Sequence, residues 1–254
     1  MTEPQITANM THTVCLQFDF VWVRDMAMVV GLGSHKGGVG KTTFARAIAL
    51  VAAVQDLSVH IADLDQEQQT AFEWAQRRLA AGRKPDISVD VYANPEQALR
   101  KADAWDLMIL DGPARAKAMA LEIAEASDLF IQPTKGVIDD MAPAVRMFHE
   151  LVKHGIPKSK MVFALHGVLA SKEIEDGLEY LTGAGYEVIK GSMYMQRGYG
   201  DAQNFGLTAL ETKWETLNAD AARVVASVVR KVRSLVEADA NEAANAQSPR
   251  ALVG

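Results

Sequence analysis

One cysteine, Cys15, stands in a chain of 254 residues. That scarcity excludes a disulfide framework, a cysteine-built zinc site and an Fe–S cluster held within a single chain. Long apolar runs are missing too. Inside the expected fold the longest, at 47–54, falls far short of the roughly 18–20 residues a bilayer span requires. The N-terminal stretch carries Glu3, Asp19, Arg24 and Asp25 and lacks the basic-then-apolar order of a secretory leader, so a cytoplasmic protein is expected. Excess positive charge is also absent. Lys and Arg total 26 against 32 Asp and Glu, a net charge of -6, so any contact with nucleic acid must come from a local basic face.

Composition is ordinary for a globular chain, with 49% apolar residues, and the length suffices for one large core. Short apolar runs at 28–34, 58–62, 87–92, 106–110, 129–132, 161–165 and 187–190 alternate with amphipathic stretches. The latter predict helices at 41–55, 66–81, 95–102, 115–126, 139–154, 172–182 and 214–237. Strand and helix in alternation predict an α/β fold: a doubly wound, mostly parallel sheet with helices on both faces. The domain is placed at 28–238. Residues 1–27 form an expected N-terminal extension, with Met26 and Met28 as alternative starts. Residues 239–254 lack periodicity and are expected to be a disordered tail.

Residues 33–43 read Gly-Ser-His-Lys-Gly-Gly-Val-Gly-Lys-Thr-Thr, between the first strand and the first helix. Glycines allow backbone N–H groups to converge, and a helix N-terminus adds positive potential for phosphate. Gly37, Gly38, Val39 and Gly40 then form the cradle, Lys41 reaches the β- and γ-phosphates, and Thr42 ligates Mg²⁺. Thr43 follows toward the α-phosphate. Asp63 and Asp65 sit two apart at the end of the second strand, so alternation sends both to one side. Leu107-Met-Ile-Leu-Asp111 is an apolar run ending in a carboxylate, which after a phosphate loop reads as a Walker B strand holding Mg²⁺.

His35 stands where the strict Walker A pattern has its first glycine, and a second lysine, Lys36, precedes two glycines. Lys36-Gly-Gly-Val-Gly-Lys-Thr-Thr43 resembles the deviant Walker A motif of the ParA/MinD family of ATPases. Gln66–Arg77 with its Trp74-Ala75 pair, the strand-Pro133-loop-Asp139-Asp140 segment, and the Arg197-x-Tyr199 stretch running to Gly206 resemble the small partition ATPases. They lack a helix-turn-helix domain ahead of the loop, as does this sequence. The resemblance implies that Lys36 crosses an ATP-sandwich homodimer to the partner's nucleotide, that Asp65 positions the attacking water, and that Asp63 lies near Mg²⁺. It puts His166 and Arg197 in the adenine region, His166 where the family often has Asn. Iron proteins of this type need cluster cysteines within the fold and are excluded. The Ala/Asn/Gln-rich end does not suit the membrane helix of division-site selectors.

Family members bind DNA without sequence preference as ATP dimers. In 214–237 an apolar stripe from Trp214 to Val236 leaves Arg223 and Arg230 opposite it, with Lys231 and Arg233 flanking. This face is either a phosphate-contact surface or an ordinary solvated one, and no aromatics interleave for base stacking. Arg77, Arg78, Arg83 and Lys84 read as a solvated helix end. The expected function is a slow, Mg²⁺-dependent ATPase that partitions a plasmid or chromosome with a small centromere-binding adaptor, on the nucleoid when DNA-bound. The alternatives are positioning of a protein cargo, such as a chemotaxis cluster or microcompartment, and a DNA-transfer accessory role.

Overall fold

The computed structural model describes residues 27–247, with side chains to Ala238. The expected extension, including Cys15, lies outside the described residues apart from its last residue, as does the end of the expected tail, 248–254.

Seven strands form one sheet: β1 (Met28–Ser34), β2 (Val59–Asp63), β3 (Ser88–Val91), β4 (Leu107–Ala114), β5 (Leu129–Thr134), β6 (Met161–Val168) and β7 (Glu187–Tyr194). Their order is β3-β2-β4-β1-β5-β6-β7, and every pairing is parallel. Strand alternation divides the core into two layers. Val30, Leu32, Ile61 and Ile109 face one side, under α1 (Lys41–Val54), α2 (Thr70–Ala80) and the long α8 (Glu215–Gln247). Val29, Ala62, Met108 and Leu110 face the other. There they meet α3 (Pro95–Leu99), α4 (Lys117–Ala126), α5 (Ile138–Lys153) and α6 (Ser171–Gly183), and Phe148 of α5 stacks on Phe163 of β6 at 4.0 Å. Register sets Asp63 opposite Asp111, and Asp111 opposite Leu32, so β1, β2 and β4 end on one rim.

The structure differs from the periodicity at identifiable places. The helix expected at 66–81 begins at Thr70, because Asp65 accepts the N–H of Gln68 and holds a turn ahead of it. The helix expected at 95–102 gives way after Leu99 to a turn and a short 3₁₀ segment, Ala102–Ala104. A helix that the pattern does not signal, α7 (Arg197–Asn204), contains Gly198 and Gly200 and few apolar residues. Its Gly198 is required by packing, since a Cβ there would lie 2.5 Å from the Trp214 ring. The last helix continues to Gln247, through most of the stretch assigned to the tail.

Arg78 is not part of a solvated helix end. Its side chain is 2% exposed and forks onto the Glu211 carboxylate at 3.0–3.2 Å while donating to the carbonyls of Lys84, Pro85 and Gly206. Trp74 is close by, its N–H on Leu207 O at 3.0 Å, with the guanidinium groups of Arg46 and Arg78 at 5.1 and 5.6 Å from its ring. This clamp ties α2 to the 205–214 segment. Arg78→Met would strand a buried carboxylate and is expected to lower unfolding free energy in urea by about 3–5 kcal/mol. Arg78→Met with Glu211→Leu should recover most of that loss.

Candidate nucleotide-binding site

The loop after β1 turns through left-handed backbone at Gly38 (φ 70°) and Gly40 (φ 105°), which side chains disfavour. Nothing lies within 4 Å of a Cβ placed on Gly38, so the space beside the loop there is open. Gly40 is confined instead: a Cβ there would meet the His166 imidazole at 2.7 Å. Helix α1 then starts with no side-chain cap and no acidic residue in its first turn. Its first N–H groups therefore keep their capacity for an anion, and the helix dipole has the matching sign.

Lys41 is buried, its Nζ donating to Ser34 Oγ at 3.1 Å. Burial lowers its pKa, and the charges of Asp111 and Asp65 oppose that. Asp111, at the end of the apolar β4 run, is also buried. Desolvation pushes its carboxyl up to about 7, against a hydrogen bond with Thr42 and the nearby cations Lys41 and Arg46. Its Oδ1 has no protein partner. A buried carboxylate oxygen without a donor, beside a threonine hydroxyl and below an open glycine cradle, fits Mg²⁺. Thr42 and Asp111 would hold it, and when bound it neutralises charge on the β- and γ-phosphates.

Asp63, expected near the metal, stands opposite Asp111 in the strand register and also serves the backbone. Its Oδ1 accepts the N–H of Asp65 at 3.1 Å, and its Oδ2 accepts those of Ala71 and Phe72 at 2.8 and 3.1 Å. It thus caps the start of α2 across the intervening turn. Burial raises its pKa, and these three donors counter the rise. Asp65 is half-buried and close enough to act on the charge of Lys41. Val39 is buried, Gly37 and Gly38 are exposed, and Thr43 is engaged by Gln203 of α7, a partner the sequence reading does not identify.

Lys36 differs from Lys41 in every respect. Its side chain is 41% exposed, and its Nζ donates to Asp139 O at 2.8 Å and to the Asp140 carboxylate at the start of α5. Next to it, both ring nitrogens of His35 are buried without a partner. His166 closes the loop on the β6 side, edge-on to Phe44 at 5.9 Å, and burial drops its pKa to about 4, so it is neutral at pH 7. Arg197, expected in the same adenine region, is the first residue of α7. Its side chain is 92% exposed and lies 3.4 Å from Asp201.

A family model, the CobQ/CobB/MinD/ParA nucleotide binding domain, matches residues 30–245. The chain belongs to that family. The loop and the Thr42–Asp111 pair are in keeping with a nucleotide-binding domain. The ParA/MinD fold is also that of the septum site-determining protein MinD with Mg-ADP from Pyrococcus horikoshii (TM-score 0.63, 17% identity, 83% of this chain and 98% of that one). The ATP complex of a Cyanothece McdA variant gives TM-score 0.60 at 13% identity, over 83% of this chain and 98% of that one. In sequence, the chain is 31% identical over 125 residues to the maintenance of carboxysome distribution protein A of Gloeobacter kilaueensis, 49% of this chain. The match spans 56% of that relative's length.

Two outcomes test the carboxylate assignments. Asp63→Ala should cost about 1–2 kcal/mol in denaturant unfolding through loss of the α2 cap. For Asp111, the folded protein retains a proton that the unfolded chain sheds above about pH 4, so metal-free stability should fall as pH rises from about 4 to 7. In EDTA, Asp111→Asn should flatten that part of the Tm-versus-pH curve, and it should weaken the Mg²⁺ dependence of nucleotide binding.

Proposed function

We propose that the protein is a slow, Mg²⁺-dependent ATPase that dimerises around ATP and uses the cycle to position a cargo. The observation that carries the reading is the placement of Lys36. A lysine serving its own nucleotide would be sheltered as Lys41 is. Lys36 instead stands at the surface beside the phosphate loop, held among the described residues by the start of α5. Val137, Ile138, Leu169 and Met195 are exposed apolar residues at the ends of β5, β6 and β7. Gly167 links the last of these to the rim, with the Met195 methyl 3.6 Å from a Cβ built on it and Lys135 at 3.9 Å. A second copy facing this rim would cover that apolar surface and bring its own Lys36 to the phosphates, where a positioned cation stabilises charge on the transferred group. Asp65 is the candidate for positioning water.

A protein assembly is the cargo class we favour, supported by the sequence likeness to a carboxysome distribution protein. Partition of a plasmid or chromosome with a centromere-binding adaptor is the second reading, favoured by α8. Arg223 and Arg230 are exposed there, although Arg223 pairs with Asp220 and Arg230 reaches Ser227 Oγ at 2.7 Å. Lys231 contributes less than the sequence suggests, being 14% exposed and paired with Glu187 at 2.6 Å, and Arg233 sits 3.1 Å from Glu237. Either cargo is compatible with DNA as the track.

Lys36→Ala should abolish ATP-dependent dimerisation in light scattering while sparing ADP binding; an unchanged dimer would refute the in-trans role. Asp65→Ala should give an ATP-locked dimer with little turnover. Non-specific duplex DNA should bind only with Mg-ATP, weaken steeply with salt, and be lost in the Arg223→Ala/Arg230→Ala protein. DNA binding in none of the nucleotide states would remove DNA as the track and with it the partition reading.

A further inference from the structure

Three side chains behind the phosphate loop form a directional chain, and of these only Thr43 has an expected role toward the nucleotide. Arg46, three residues after Thr43 on α1, is 2% exposed. One end of its guanidinium donates to Thr70 O at 2.5 Å, at the start of α2, and the other donates to Gln203 Oε1 at 3.0 Å, on α7. Gln203 Nε2 in turn donates to Thr43 Oγ1 at 3.1 Å. An amide has two possible orientations that differ little in shape, and its surroundings decide between them. Here a guanidinium, which only donates, faces one end. The reverse orientation would oppose two sets of N–H groups inside the protein, so the oxygen must face Arg46 and the NH₂ must face Thr43.

The consequence lies in the single proton of the Thr43 hydroxyl. Because Thr43 Oγ1 accepts from Gln203, its own O–H points elsewhere, and Thr43 stands in the uncapped first turn of α1, the end that offers its donors to phosphate. We infer that Gln203 is a positioning residue for nucleotide binding: oriented by Arg46, it commits the Thr43 hydroxyl to donate to a phosphate oxygen of the bound nucleotide. Arg46 is the buried reference that fixes the polarity, and Gln203 carries it between helices. The inference rests on the nucleotide seating on this loop and is independent of dimerisation, hydrolysis and cargo.

Titration of the full chain with MgADP tests it. Gln203→Glu keeps an acceptor for Arg46 but removes the donor to Thr43, whose proton then turns to the carboxylate and is lost to phosphate. The expected result is a Kd raised about tenfold, roughly 1.4 kcal/mol. A new negative charge near phosphate would weaken binding by itself, so the same substitution is made in Thr43→Val, where there is no hydroxyl to orient. There the added effect should shrink below about twofold, since coupled groups are non-additive. Gln203→Met removes both hydrogen bonds without adding charge and covers the case of a poorly folding Gln203→Glu. It should weaken MgADP about threefold, on the scale of one neutral hydrogen bond, and do nothing further in Thr43→Val. Thr43→Ser should keep the full Gln203 dependence. Equal losses in the native and Thr43→Val backgrounds, or no loss in the native one, would overturn the inference while leaving the site intact. A native chain that fails to bind MgADP would overturn both.

Discussion

Four ionisable side chains are buried together where β1, β2 and β4 end: Lys41, Arg46, Asp63 and Asp111. Placing charge in a protein interior costs several kcal/mol per ion unless partners compensate, and the local structure is organised around that compensation. Arg46 is solvated by neutral oxygens from α2 and α7, and Asp63 by three backbone N–H groups. Lys41 has only a serine hydroxyl and the more distant carboxylates. Asp111 is the group left short, with one oxygen unpartnered and a carboxyl half-protonated near neutrality. Two kinds of ligand relieve the remaining imbalance: an anion against Lys41 and the α1 N-terminus, and a cation against Asp111. Mg²⁺ with a nucleotide polyphosphate supplies both at once, so each should favour entry of the other.

The same cluster explains how α2 and the turn ahead of it are held in place. Asp63 caps α2, Arg46 holds the carbonyl of its first residue, and Arg78 at its far end is locked to Glu211. The helix that carries Asp65 at its approach is therefore tied to the sheet rim at one end and to the 205–214 segment at the other. Movement of Asp65 relative to the phosphates must come from the short turn between Leu64 and Gln69, where the hydrogen bonds are local.

Much of this was legible in the residues. Near-continuous apolar runs such as Leu107-Met-Ile-Leu are what a doubly covered parallel strand requires, and each of the seven predicted strands overlaps an observed one. The phosphate loop is legible because glycine spacing reflects backbone geometry directly. What was not legible depends on partners distant in the chain. Asp63 has the spacing of a metal-site carboxylate, but its cap on a helix start depends on where the intervening turn ends. Arg78 looks like a surface cation until Glu211 folds back over it. α7 was hidden because it contains two glycines, of which Gly198 serves packing on Trp214 rather than helix propensity, and with it went the contact between Gln203 and Thr43. Periodicity records burial along one element, whereas pairings across 128 to 160 residues leave no local trace.

Electrostatics on α8 shows how the proposed dimer would matter to a DNA track. Lys231 pairs with Glu187 and Arg233 with Glu237, which leaves Arg223, itself paired with Asp220, and Arg230 as the cations opposite the apolar stripe, at most two phosphate contacts per protomer. Two phosphate contacts give a log–log salt slope of only about -1.8, and correspondingly feeble binding at physiological salt. Joining two protomers doubles the contacts on one rigid body, and the slope becomes about -3.6 if both faces reach the same duplex. A patch too weak to hold a monomer is the kind that nucleotide-driven dimerisation can switch, because pairing changes valency without rearranging α8 itself. A stronger basic face would bind in every state and could not report the ATP cycle.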